Sequence, residues 1–175
     1  MTRTLKIEAV VLKKKSLLNK DYLVTFFSKE EGKIKVFAKG AKKITSRRIS
    51  HIQTGNLIEA VIHKKDDRFY LQETKLISGF SKIKNDKKKL ANLYYLLFII
   101  DRLLAENQKD FSVYRLLIKF MIDLSKSPPF SRNTMNRFIK NLLIDLGYID
   151  QSRDDQNLQS TLEEIINEKL PSFVI

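Results

Sequence analysis

The period of the hydrophobic pattern changes once along the 175 residues, and this change constrains the fold more than any other feature. Between residues 4 and 79, apolar side chains recur at every second position, the repeat of a strand with one buried face. From Asp86 onward they recur at three and four, the repeat of an amphipathic helix. A chain that switches in this way is α+β, with strands first and helices after. The expected organisation is a strand domain over residues 1–80 and an all-helical domain over 81–175.

Five runs make up the strand half. Leu5, Ile7, Ala9 and Val11 share one face of the first. The second is Tyr22 to Phe27, rich in aromatic and β-branched residues. A glycine-bearing turn, Glu30-Glu31-Gly32-Lys33, leads to the third, where Ile34, Val36 and Ala38 point one way and Lys35, Phe37 and Lys39 the other. Asn56 to His63 is the fourth run. Lys64-Lys65-Asp66-Asp67 is a polar turn, and Phe69 to Ile77 is the last run. Five short strands in about 80 residues match a partly open OB-fold barrel. Periodicity alone does not separate that fold from an SH3-like barrel.

In the helical half, the first helix carries Leu90, Leu93, Tyr94, Leu97, Ile100 and Leu104, with further apolar residues nearly all round. That composition marks a central helix. Asp110 can cap a second helix with the stripe Val113, Leu116, Leu117, Phe120 and Leu124. Pro128-Pro129 ends it. Ser131 opens a third, which closes at Gly147, where a left-handed residue is expected. Ser160 with Glu163 reads as a capping box for a short helix over 161–169.

Charge divides the chain close to the same place. Residues 1–89 hold 23 Lys+Arg against nine Asp+Glu, net +14, whereas 90–175 hold ten against eleven, net −1, so the first 89 residues carry the whole excess. A polyanion is the partner such an asymmetry suggests. Cysteine is absent and only His51 and His63 are present. Thiol chemistry, disulfides and thiolate-ligated metals are excluded. No nucleotide-binding, zinc-protease or nucleophile-elbow motif occurs. Asp66-Asp67 and Asp154-Asp155 are adjacent pairs without spaced ligands around them. The expectation is a binding protein and not an enzyme, with no catalytic residue, no cofactor and no metal. The apolar stretch Leu93 to Ile100 breaks at Asp101-Arg102, far short of the roughly 20 residues a bilayer requires. The N-terminus lacks the unbroken apolar centre of a secretory signal. A cytoplasmic, nucleoid-associated protein without membrane contact is expected.

Three basic features are candidates for nucleic-acid binding. Lys35, Phe37 and Lys39 place one aromatic ring between two cations on one sheet face, a stacking plane flanked by phosphate partners. Lys39, Lys42, Lys43, Arg47 and Arg48 put five cations in ten residues of an expected loop. Lys13, Lys14 and Lys15 form a similar cluster after the first strand. A DNA-binding protein, an RNA-binding OB-type module and a protein–protein adaptor with a basic surface all satisfy this pattern.

The order of several short segments resembles the start of RecO, a bacterial recombination mediator family. They are Val10-Val11-Leu12-Lys13, Asp21, Thr25-Phe26-Phe27-Ser28, Glu31-Gly32-Lys33-Ile34, Ala38-Lys39-Gly40-Ala41-Lys42-Lys43 and Ser46-Arg47. The helical Asp101-Arg102-Leu103 and Leu146-Gly147-Tyr148 fall where that family has similar residues. The resemblance implies an OB-fold followed by a helical domain. It implies binding of single- and double-stranded DNA, strand annealing and assistance to RecA in replacing single-strand-binding protein. The implied partners are RecR and the C-terminal tail of single-strand-binding protein. Two departures stand out. Leu18-Asn19 replaces a usual Gly-Glu pair, and the four-cysteine zinc module of many members has no counterpart. A shortened, zinc-free member is expected.

Overall fold

The computed structural model describes residues 3–18, 20–41, 48–151 and 158–171. They form two compact units: residues 1–79 with 104–110, and residues 80–103 with 111–175. The strand unit contains β1 (Arg3–Ser16), β2 (Tyr22–Ser28), β3 (Gly32–Ala38), the one-turn helix α1 (Arg48–His51), β4 (Leu57–Lys65) and β5 (Arg68–Ser78). The strands close into a barrel in the order β1-β2-β3-β5-β4, with β4 returning to β1. All pairings are antiparallel except β3 with β5, which run parallel and meet only at Val36↔Phe69 and Phe37↔Tyr70. This is the OB-fold arrangement expected from the strand count.

The alternation works as the sequence requires. Ile7, Ala9, Val11, Val24, Phe26, Ile34, Val36, Ala38, Ile58, Ala60 and Ile62 fill the barrel, each no more than 2% exposed. Burying a side chain such as Phe26 contributes about 1.5–3 kcal/mol. Asp66 and Asp67 connect β4 to β5 with φ of 47° and 58°. Two left-handed residues between the paired Lys65 and Arg68 make the tight turn that matches strand twist.

The basic segment from Lys39 to Arg48 is expected to lie in a loop. In fact Arg48–His51 is helical, and Ile52 and Ala41 plug the barrel interior at 0% exposure. Asn56 fixes the end of α1, its Nδ2 donating to the carbonyls of Ser50 (3.1 Å) and His51 (2.8 Å). One turn is too short to show a helical period, which is why the pattern missed it.

The helical unit contains α2 (Ser81–Lys84), α3 (Lys87–Leu103), α4 (Phe111–Lys126), α5 (Arg132–Asp145) and α6 (Leu158–Ile166). Asp86 caps α3, its Oδ1 accepting from the amides of Lys88 (2.9 Å) and Lys89 (3.1 Å). Leu93, Leu96, Leu97, Ile99 and Ile100 are buried, while Tyr94 stands 48% exposed. Ser131 caps α5 through Thr134 N–H. At its other end Gly147 takes φ 75°, with its amide bonded to Ile144 O and that of Tyr148 to Leu143 O. Those two bonds form a Schellman motif and give the Leu-Gly-Tyr segment a structural reason. The capping box at Ser160 does not form. The helix begins two residues earlier, and Glu163 Oε1 instead accepts from the amide of Leu170 (3.2 Å), closing the chain after the helix. Phe120, Phe130 and Phe138 cluster at 4.9–5.6 Å between ring centres. Arg102 Nε donates to Glu168 Oε2 (2.6 Å), tying α3 to the chain beyond α6. Among the described residues, no helix is long and apolar enough to cross a membrane.

Candidate nucleic-acid interface

A groove of about 680 Å³ opens on the outside of the barrel. The end of β1 and the β1–β2 loop supply Lys15, Ser16, Leu17, Leu18 and Asp21; β3 supplies Phe37 and Lys39; β5 supplies Arg68 and Tyr70. The β2–β3 face with its neighbouring loops is the surface on which OB-folds take oligonucleotides.

Barrel closure creates the aromatic part of this groove. Phe37 points outward because Val36 and Ala38 point inward, and the parallel pairing sets Tyr70 beside it. Their ring centres lie 5.7 Å apart with the planes inclined 30°. Both rings are half-buried, so each leaves part of its surface open. Lys39 Nζ lies 4.9 Å from the centre of the Tyr70 ring, a cation–π contact that holds the ammonium at the groove.

The β1–β2 loop is fastened down. Leu17 N–H donates to Asp21 O (3.0 Å), and Gly40 N–H donates to Asp21 Oδ1 (2.7 Å). Gly40, at φ 65°, turns its amide toward that carboxylate. Two separated family segments, the Asp before β2 and the Lys-Gly after β3, thus meet in one hydrogen bond. Asp21 is the acid among the groove's lining residues.

The three lysines of β1 part company. A bulge between Val11 and Lys13 shifts the register, so Lys13 and Lys15 lie opposite outward Thr25 and Leu23, and Lys14 opposite inward Val24. Lys13 and Lys15 are exposed. Lys14 turns to the barrel rim, 3.1 Å from Gln53 Oε1 and 4.8 Å from the Tyr22 ring centre. Burial holds its ammonium pKa below the ordinary lysine value.

Lys35 is exposed but forms an ion pair with Glu106 and does not line the groove. Arg48 departs from expectation. It opens α1 instead of lying in a loop, and its guanidinium donates to Leu71 O and Lys39 O, both at 3.0 Å. Lys42, Lys43 and Arg47 lie outside the described residues. Tyr70 and Arg68 were not singled out by sequence; their place beside Phe37 depends on a parallel contact of two residue pairs. Among the described residues, no group of three or more His, Asp or Glu is placed to hold a metal ion.

Comparison with known proteins decides the family. Residues 1–80 match the family model for the recombination protein O N-terminal domain. A DNA repair protein RecO from Caldanaerobacter subterraneus subsp. tengcongensis is 34% identical over 112 residues, covering 64% of this chain and 45% of that protein. The chain belongs to the RecO family. The RecO of a Thermoanaerobacter species is 31% identical over 152 residues, 85% of this chain and 60% of its own length. That of Acetivibrio thermocellus is 28% identical over 144 residues, 82% of this chain and 57% of its own. The matched stretches therefore span about half to three-fifths of those RecO proteins.

Proposed function

We propose that this chain is a DNA-binding protein of recombinational DNA repair, and that its barrel groove takes single-stranded DNA. The observation that carries this reading is the Phe37–Tyr70 pair, set between Lys15, Lys39 and Arg68 on one face of the barrel. Aromatic rings accept bases of any sequence by stacking, and the cations follow the phosphates. Lys13 on β1, and Lys42, Lys43 and Arg47, which follow Gly40 in sequence, are further phosphate contacts in this reading. No bond-making step is needed from these residues, so the reading is binding without catalysis.

The names of the relatives supply the biological setting. In that setting the chain binds single- and double-stranded DNA, anneals complementary strands and, with RecR and the tail of single-strand-binding protein, assists RecA loading. The test is a titration of matched ssDNA, dsDNA and ssRNA at two salt concentrations. Single-stranded DNA is expected to bind with an affinity that falls steeply with salt. Removing two phosphate contacts with Lys42→Ala and Lys43→Ala flattens the single-strand salt slope by about 1.4, at about 0.7 per contact. Preference for RNA over matched DNA would replace this reading with an RNA-binding one. Binding to neither would leave the basic surface to a protein partner.

A further inference from the structure

We infer that Leu18 is a nucleobase contact, so that the groove holds an unstacked base of a single strand against Leu18 on one side and the Phe37–Tyr70 rings on the other. The inference rests on the reading of the groove as a single-strand site and names how that site engages its ligand.

A single exposed leucine is ordinary on a protein surface. Leu18 differs in where and how it is held. Its side chain is 103% exposed and lines the same groove as both aromatic rings. It rides on a loop whose neck is tied by Leu17 N–H to Asp21 O and whose far side is tied by Asp21 Oδ1 to Gly40 N–H. Lys20 completes the turn at φ 54°, a left-handed conformation. The loop thus presents an apolar side chain from a fastened base. Those two bonds fix the backbone at Leu17 and Asp21, on either side of Leu18, which lowers the entropic cost of using it.

The chemistry around Leu18 selects the occupant. Lys15, Lys39 and Arg68 favour a polyanion, and the one lining carboxylate, Asp21, accepts from a backbone amide. An apolar pocket without cations would suit a hydrophobic peptide; this groove pairs apolar faces with positive charge, as a base on a phosphodiester chain requires. Aliphatic wedges, leucine among them, are a known way for proteins to enter the stack between bases. Contact with the face of a base carries little sequence information, so pyrimidine and mixed strands are expected to bind alike.

The test compares a short poly-dT oligonucleotide with an abasic oligomer of equal length, titrated against the full chain at fixed salt. Truncating Leu18 to Ala removes carbon surface on the scale of two buried methylenes. Leu18→Ala is expected to weaken poly-dT binding about tenfold, or about 1.4 kcal/mol, and to leave abasic binding and the salt slope unchanged. Leu18→Phe restores or tightens poly-dT binding. Because Leu18 is wholly exposed, neither variant removes core packing. Unchanged poly-dT affinity in Leu18→Ala, alongside a salt slope flattened by Lys15→Ala with Lys39→Ala, overturns the base contact and leaves the groove reading intact. Equal loss on both oligomers also overturns it, because the loop would then act through shape. Failure of the unaltered chain to bind either oligomer removes the groove reading itself.

Discussion

Replacing Gly32 with alanine tests how the barrel holds the segment 104–110, and the structure gives the size of the effect. Gly32 has φ 70°, and a Cβ built there would lie 2.0 Å from Gln108 O and 2.5 Å from Gln108 C. An ordinary contact is well over 3 Å, so backbone must move by more than about 1 Å, and a backbone atom cannot swing aside as a side-chain tip can. The left-handed conformation costs alanine about 1–2 kcal/mol by itself. Retreat of the segment breaks the 2.8 Å bond from Asn107 N–H to Lys33 O, worth about 1 kcal/mol. It also separates Glu106 from Lys35 and Lys109 from Glu31, exposed pairs worth less than about 1 kcal/mol each. The sum is about 3 kcal/mol. Gly79→Ala is the control, since a Cβ there meets nothing closer than 3.8 Å. Urea denaturation followed by circular dichroism gives the loss, and hydrogen exchange at the Asn107 amide reports the segment directly. A loss below about 1 kcal/mol, with the Asn107 amide still protected, would refute the reasoning.

Three other predictions follow from the interactions described. Phe37→Ala and Tyr70→Ala should each lower single-strand affinity by about 1–3 kcal/mol. The double variant should lose less than their sum, because one stacking surface is involved; strict additivity in a double-mutant cycle would separate the two rings. Arg48→Lys should destabilise the barrel by about 1–2 kcal/mol, since an ammonium cannot reach both Leu71 O and Lys39 O as the guanidinium fork does. Its DNA salt slope should match the unaltered chain, and a flattened slope would mean that Arg48 contacts phosphate. The Glu163 carboxyl is held below its ordinary pKa of 4.5, first by the Leu170 amide and then by Gln159. A lowered folded value means the stabilisation is complete above 4.5 and fades as pH falls through the folded value. The protection of the Leu170 amide, measured relative to intrinsic exchange, should therefore fall as pH drops below 4.5, and Glu163→Gln should remove that change.

The elements were legible wherever a repeat ran long enough to show. All five strands and the helices centred on Leu93, Leu117 and Ile139 could be placed from spacing alone, and Gly147 from its position after a stripe. What stayed hidden depended on events between distant residues or on single extra residues. The bulge at Leu12 reverses which lysines face outward, yet it leaves no mark on composition. Tyr70 and Arg68 reach the groove through the parallel seam of β3 with β5, and a contact of two residue pairs writes no pattern into either strand. Arg48 and Glu163 looked like a phosphate ligand and half of a capping box because sequence shows residue type and offset. Each found a backbone partner in three dimensions instead: two carbonyls for Arg48 and the Leu170 amide for Glu163.

The barrel unit takes in residues 104–110, which lie beyond α3 in the chain. During synthesis, β3 leaves the ribosome with Gly32 uncovered and Lys33 O without its Asn107 partner, and more than sixty residues must follow before that gap is filled. All five strands are thus synthesised before the segment that seals the barrel at this spot. A genetic cut at residue 80 would freeze the chain in that unsealed state. The smallest faithful fragment of the barrel is therefore one that runs past Asp110, carrying α2 and α3 with it.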